Sequence, residues 1–166
     1  MAGDRDAEGT SYILEPGKGE LLQELRVTVK AGTEHTEGAI SVVEVDNPGF
    51  GGPPLHVHHE HDELLYVLEG EYLFQIEDTV SVATAGTFGF FPRGVPHTFA
   101  GSGRMQSRLL NMGLPAGLER YVRELERRVA AGAGEDEIQR LSNEWDTYLV
   151  GPPIAASSQE WSAPNR

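Results

Sequence analysis

Cysteine is absent from the 166 residues. That removes disulfides and thiolate chemistry, and it leaves nitrogen and oxygen as the only donors for a bound metal. Lysine is nearly absent, with Lys18 and Lys30 alone, and 13 basic residues face 26 acidic ones for a formal net charge of −13. A chain so acidic, with no basic patch, is not expected to partner nucleic acid or an anionic membrane surface. The densest basic run, ERYVRELERR, alternates Arg with Glu and reads as a solvated helix face. No apolar run approaches the length of a membrane span. The opening MAGDRDAEGT lacks the apolar core of a signal peptide, so a cytoplasmic protein with no membrane partner is expected.

Glycine is abundant, with 20 residues, as suits many short strands joined by tight turns. Residues 1–10 are expected to be disordered. Strands are read at SYILEP, LLQELRVTVK and AISVVEV, then at LHVH, ELLYVLEG, EYLFQIED, TVSVATAG, TFGFFPRG, PHTFAG and SRLLNMG. In RVTVK, Val27 and Val29 alternate with polar neighbours, the period of a half-buried strand. Glu69-Gly70 reads as a hairpin turn, and NPGFGGPP as a loop. Such a succession, with no helix between the strands, predicts an all-β antiparallel sandwich or barrel over residues 11–113.

After Pro115 the period changes. Leu118, Tyr121, Val122, Leu125 and Val129 fall at helical spacing, as do Ile138, Leu141 and Trp145, with a break at AAGAG. Two helices over 114–148 are expected to pack on the outside of the barrel or across a dimer. Residues 149–166 read as an extended tail.

Two stretches carry the chemistry. HVHHEHDE holds His56, His58 and Glu63, and FPRGVPH holds His97. His56 and His58, two apart on a strand, share a face. Three imidazoles and a carboxylate suit one divalent Fe, Mn, Co, Ni or Zn ion, and spacing does not choose among them. HHEH by itself is also compatible with a solvated loop. His59 and His61 are expected to be exposed, and His35, in the polar loop GTEHTEG, is assigned no role.

These residues resemble the two motifs of the cupin superfamily. HVH, four residues, Glu63, six residues and Gly70 follow the first motif, although its leading glycine is displaced by one, with Gly49, Gly51 and Gly52 around the expected place. Gly86, TFGFF, Pro92-Arg93-Gly94, Val95-Pro96 and His97 follow the second, whose closing Asn is Gly101 here. The resemblance implies a cupin double-stranded β-helix, a jelly-roll barrel with two C-terminal helices.

Among cupins the chain looks like small single-domain bacterial members related to quercetin 2,3-dioxygenase. That likeness implies His56, His58, Glu63 and His97 as ligands of one metal per chain, with Glu63 also the general base. It also implies a small aromatic substrate and a homodimer, with the N-terminal strands and the two helices as its interface. Strand alternation puts Tyr72, Phe74 and Phe99 in reach of a substrate pocket, or equally in the barrel core. Two other functions share this ligand set: a metal-dependent cyclase of aromatic polyketides, which consumes no oxygen, and a non-catalytic small-molecule binder.

Overall fold

The computed structural model describes residues 11–155. The N-terminal disorder expected for 1–10 and most of the expected tail fall outside them. Twelve strands and three helices run in chain order: β1 (Glu20–Leu22), β2 (Val27–Ala31), α1 (Thr33–Thr36), β3 (Ser41–Asn47), β4 (Phe50–Gly51), β5 (His56–Val57), β6 (Asp62–Glu69), β7 (Glu71–Ile76), β8 (Thr79–Thr84), β9 (Phe88–Phe91), β10 (His97–Ser102), β11 (Ser107–Leu114), α2 (Leu118–Ala130), α3 (Glu135–Glu144) and β12 (Tyr148–Leu149). They form two antiparallel sheets, one ordered β1-β2-β3-β11-β6-β9 and the other β12-β5-β10-β7-β8 with β4 added on β10. The fold is a jelly roll with two C-terminal helices, as the sequence predicts.

Alternation decides which side chains meet between the sheets. In β3, β6 and β11 every second residue is buried. The register lines these residues into rows: Val45, Leu109 and Val67; then Val43, Asn111, Leu65 and Gly89; then Ser41, Gly113, Glu63 and Phe91. The opposite sheet contributes Tyr72, Phe74 and Phe99 to the same core. The apolar rows exclude water from one end of the barrel. The polar row marks the other end, where the site lies. The hairpin from β6 to β7 turns on Gly70, at φ 75 and with Gln106 O only 2.4 Å from where a Cβ would stand, so any side chain there would clash.

Two strand expectations and one loop expectation change. SYILEP forms no strand; Ile13 is 96% exposed, so its alternation has no apolar surface to bury against. LLQELRVTVK is two strands, because the chain turns back at Arg26 (φ 55) and pairs Leu22 with Val27. Glu126 of α2 holds that turn by accepting the N–H groups of Glu24 and Leu25, both at 3.0 Å. The loop GTEHTEG contains the one-turn α1, where His35 Nδ1 accepts the N–H of Gly32 at 3.1 Å.

The helices are where their periodicity puts them, with the break between Ala130 and Glu135. Helix α2 packs on β3, β1 and β2 of its own chain, burying Val122 and bringing Leu118 and Tyr121 against the core. Glu119 anchors it. This carboxylate is fully buried, and accepts hydrogen bonds from Thr33 N, Thr33 Oγ1, Ser41 Oγ and Gly117 N at 2.8, 2.6, 2.5 and 3.0 Å. Burial would raise its pKa, but the donors, Ser41 foremost, outweigh it and hold the group down to about 2. The Arg residues of α2 pair with neighbouring acids: Arg123 with Glu20 and Glu34, Arg127 and Arg128 with Glu124, and Arg128 with Glu137. Beyond β12 the chain packs Ile154 on Leu73 and Ala100, on the outer face of the second sheet.

Candidate metal centre

His56 opens β5 and His97 opens β10, and the register sets them opposite one another. His58 follows β5, and Glu63 sits on the facing sheet across from Phe91. All four side chains are buried, and their ligand atoms lie within 4.8 Å of one another. The four residues singled out from the sequence therefore converge between the two sheets and could hold one metal ion.

The hydrogen bonds around the rings test that fit. Each Nδ1 faces a backbone carbonyl: His56 on Pro54 O at 2.8 Å, His58 on Asp146 O at 2.7 Å and His97 on Val95 O at 2.8 Å. A carbonyl only accepts, so each Nδ1 carries the hydrogen and each neutral ring keeps its lone pair on Nε2. Those Nε2 atoms stand 3.7, 3.3 and 2.5 Å from Glu63 Oε2. Three lone pairs against a carboxylate repel, and protonating all three rings would bury three positive charges around one negative. A divalent cation satisfies all four donors at once, and the set is nitrogen and oxygen, as a chain without cysteine requires.

The carboxylate and the rings also act on each other's titration. Burial works to raise the Glu63 pKa, but the imidazoles of His56, His58 and His97 around it hold it well below the ordinary value. Burial likewise works to lower His58, and the Glu63 carboxylate overcomes it and raises the ring. Glu63 Oε1 is held separately, accepting from Asn111 Nδ2 at 2.5 Å. Asn111 Oδ1 is buried without a hydrogen-bond partner among the described residues. Phe91 stacks on His97, with ring centroids 4.8 Å apart at 23°.

The two motifs are also tied to each other. Gly94, at φ 83 in the PRGVP turn, donates its N–H to His58 O at 2.6 Å. Asp62 accepts from Arg93 at the backbone N, Nε and a terminal nitrogen, at 2.9, 3.0 and 3.1 Å. The turn that delivers His97 thus grips the loop that delivers His58 and Glu63.

Tyr72, Phe74 and Phe99 lie in the core. Phe99 pairs with Phe74 one row below His97, and Tyr72 lies a row deeper, where its hydroxyl reaches Val45 O and Ser107 O. His59 is exposed, as expected. His61 is not: its ring packs on His58 with centroids 3.9 Å apart, and its Nδ1 meets Asp146 Oδ2 at 2.9 Å. Asp146, 85 residues away in the chain, pulls it inward.

The sequence reading missed Asn111, Asp146 and Phe91. Asn111 left a trace, a polar residue in the apolar phase of RLLNMG. Asp146 left none. His58, His61 and Asp146 also cluster as a candidate ligand group, but hydrogen bonds within the site already engage His58 and the His61–Asp146 pair.

Residues 42–113 match the cupin domain family. The chain carries a cupin domain. The match spans both motifs, from β3 to β11. Quercetin 2,3-dioxygenase of Bacillus subtilis (strain 168) is 29% identical over 102 residues, which are 60% of this chain and 29% of that protein. The chain therefore spans less than a third of that relative's length. Among solved structures, KdgF from Halomonas sp. superimposes at TM-score 0.50 with 19% identity, over 55% of this chain and 78% of that one. A protein described as a predicted oxalate decarboxylase from Thermotoga maritima gives 0.51 with 20% identity, over 54% and 78%. An uncharacterized protein with a double-stranded beta-helix domain from Klebsiella pneumoniae gives 0.51 with 18% identity, over 65% and 93%. At these identities the structures share the fold. Among the described residues no helix is long and apolar enough to cross a membrane.

Proposed function

We propose that this cupin is a metal-dependent dioxygenase of the quercetinase type, opening a flavonol or related phenolic ring with dioxygen, and that it works as a homodimer. The observation that carries the reading is the convergence of three imidazole Nε2 atoms and one carboxylate, all buried between the two sheets. Sequence similarity to a quercetin 2,3-dioxygenase supports the reaction class.

His56, His58, Glu63 and His97 would hold one divalent ion, whose identity among Ni, Mn, Fe, Co and Zn is open. When bound, such an ion supplies a Lewis acid that acidifies a phenolic hydroxyl beside it. Glu63 does the proton chemistry. Asn111 fixes Oε1, so Oε2, on the side of the three imidazoles, would serve as ligand and as acceptor of the substrate's hydroxyl proton. A carboxylate held this acidic is a weak base, and it accepts that proton only from a hydroxyl the site has already made acidic. Phe91 stacked on His97, with Phe74 and Phe99 below and Tyr72 behind them, supplies an apolar wall suited to a planar ring.

Apoprotein loaded separately with each of the five metals, and offered flavonols and polyketide phenols, is expected to take up oxygen in proportion to substrate consumed. Product formed without oxygen uptake would identify a cyclase. Tight binding with no turnover under any metal would identify a binding module, and either result overturns the proposal.

A further inference from the structure

The matched cupin domain ends at residue 113, yet part of the metal centre's framework comes from well beyond it. Asp146 stands between α3 and β12 in the left-handed region, at φ 55. Its Oδ1 accepts the N–H of His59 at 2.9 Å, and its Oδ2 accepts the N–H of Glu60 at 2.8 Å and meets His61 Nδ1 at 2.9 Å. Its backbone carbonyl accepts from His58 Nδ1 at 2.7 Å. One residue thus binds four groups on four consecutive residues, from His58 to His61. These begin with one ligand and end two residues before another.

We infer that Asp146 is a positioning residue of the metal centre, so that the C-terminal extension is an integral part of the site. The inference rests on the reading of His56, His58, Glu63 and His97 as ligands of one metal.

The geometry supports action on the ligands themselves. Asp146 is gripped on both sides. Before it, α3 closes with Trp145 N donating to Leu141 O and Thr147 N to Ser142 O. After it, β12 pairs with the ligand strand, Tyr148 opposite Val57 and Leu149 opposite His56. The carboxylate is therefore held in register with β5, and through it the loop from His59 to Asp62 takes one path. Without it the N–H groups of His59 and Glu60, in exposed residues, can turn to water at little cost in stability. The bond that orients His61 against the face of His58 is lost as well. His58 keeps its own bond to the Asp146 carbonyl, so the loss of metal affinity falls toward the lower end of the about 10–100-fold that removing a ligand's outer support costs.

Two variants separate positioning from general stability. Asp146→Gly suits φ 55 and keeps the carbonyl bond to His58 while deleting all three carboxylate bonds. Asp146→Asn tolerates the same backbone and keeps one acceptor oxygen. Metal-free wild type and variants are titrated with Co(II), recording affinity and the visible absorption of the bound ion, and their thermal unfolding is measured without metal.

The wild type is expected to bind one Co(II). Asp146→Gly should melt close to wild type when metal-free, bind Co(II) about 10-fold more weakly and show an altered Co(II) spectrum, with Asp146→Asn in between. Wild-type affinity and spectrum in Asp146→Gly would overturn the inference. So would a metal-free Asp146→Gly that unfolds far below wild type, since that assigns the residue to stability alone. A wild type that binds no Co(II), or a His97→Ala variant that binds it unimpaired, instead overturns the metal-site reading and the inference with it.

Discussion

Glu119→Gln isolates the contact that seats the helical extension on the barrel. Four donors share the two carboxylate oxygens: Thr33 N and Oγ1 on one, Ser41 Oγ and Gly117 N on the other. Whichever way a glutamine is turned, its NH2 meets two donors. The folded group titrates at about 2 against an ordinary 4.5, a gap that at about 1.4 kcal/mol per unit corresponds to roughly 3 kcal/mol of stability at neutral pH. The sign follows from the depressed value. That stability is complete above 4.5 and is lost as pH falls toward 2, because the unfolded carboxylate takes up its proton first. Urea unfolding followed by circular dichroism should show the variant about 3 kcal/mol less stable than wild type at pH 7. The difference should shrink to less than half at about pH 3. An equal difference at both pH values would refute the assignment to an ionised, buried anchor. A difference below about 1 kcal/mol at pH 7, the worth of one ordinary hydrogen bond, would refute its magnitude.

Purified without chelator, the protein should carry close to one transition metal per chain by elemental analysis, and His56→Ala or His97→Ala should lose most of it; full metal content in both variants contradicts the ligand assignment. Leu65, fully buried beside Asn111, should cost about 2–5 kcal/mol when cut to alanine, measured by urea unfolding, and a loss under about 1 kcal/mol would show that the row around it collapses to fill the space. Besides the N-terminal strands and helices expected at the interface of the proposed homodimer, the edge strand β9 offers it an exposed apolar face, where Phe88 and Phe90 are 55% and 52% exposed. Sedimentation should return a dimer mass for the wild type and a monomer for Phe90→Asp, and a monomeric wild type removes the proposal.

Two periodicities and one ligand pattern were legible in the sequence. Period two from Val27 to Gly113 predicted the strands, and the change after Pro115 predicted both helices, because burying one face constrains every second or every third to fourth residue locally. HVH, Glu63 and His97 predicted the buried cluster, since ligand side chains keep their spacing relative to the turns that deliver them. SYILEP has the composition of a strand and forms none, because pairing needs a partner edge that the segment itself does not encode.

Tertiary structure alone decided what surrounds the ligands. It set Asn111 on Glu63 through the register of β11 against β6. It stacked Phe91 on His97 across the two sheets. It brought Asp146 onto the loop from His58 to His61 by pairing β12 with β5. The Asn111 and Asp146 contacts join residues tens of positions apart, and all three depend on strand order and register that no local run of residues specifies.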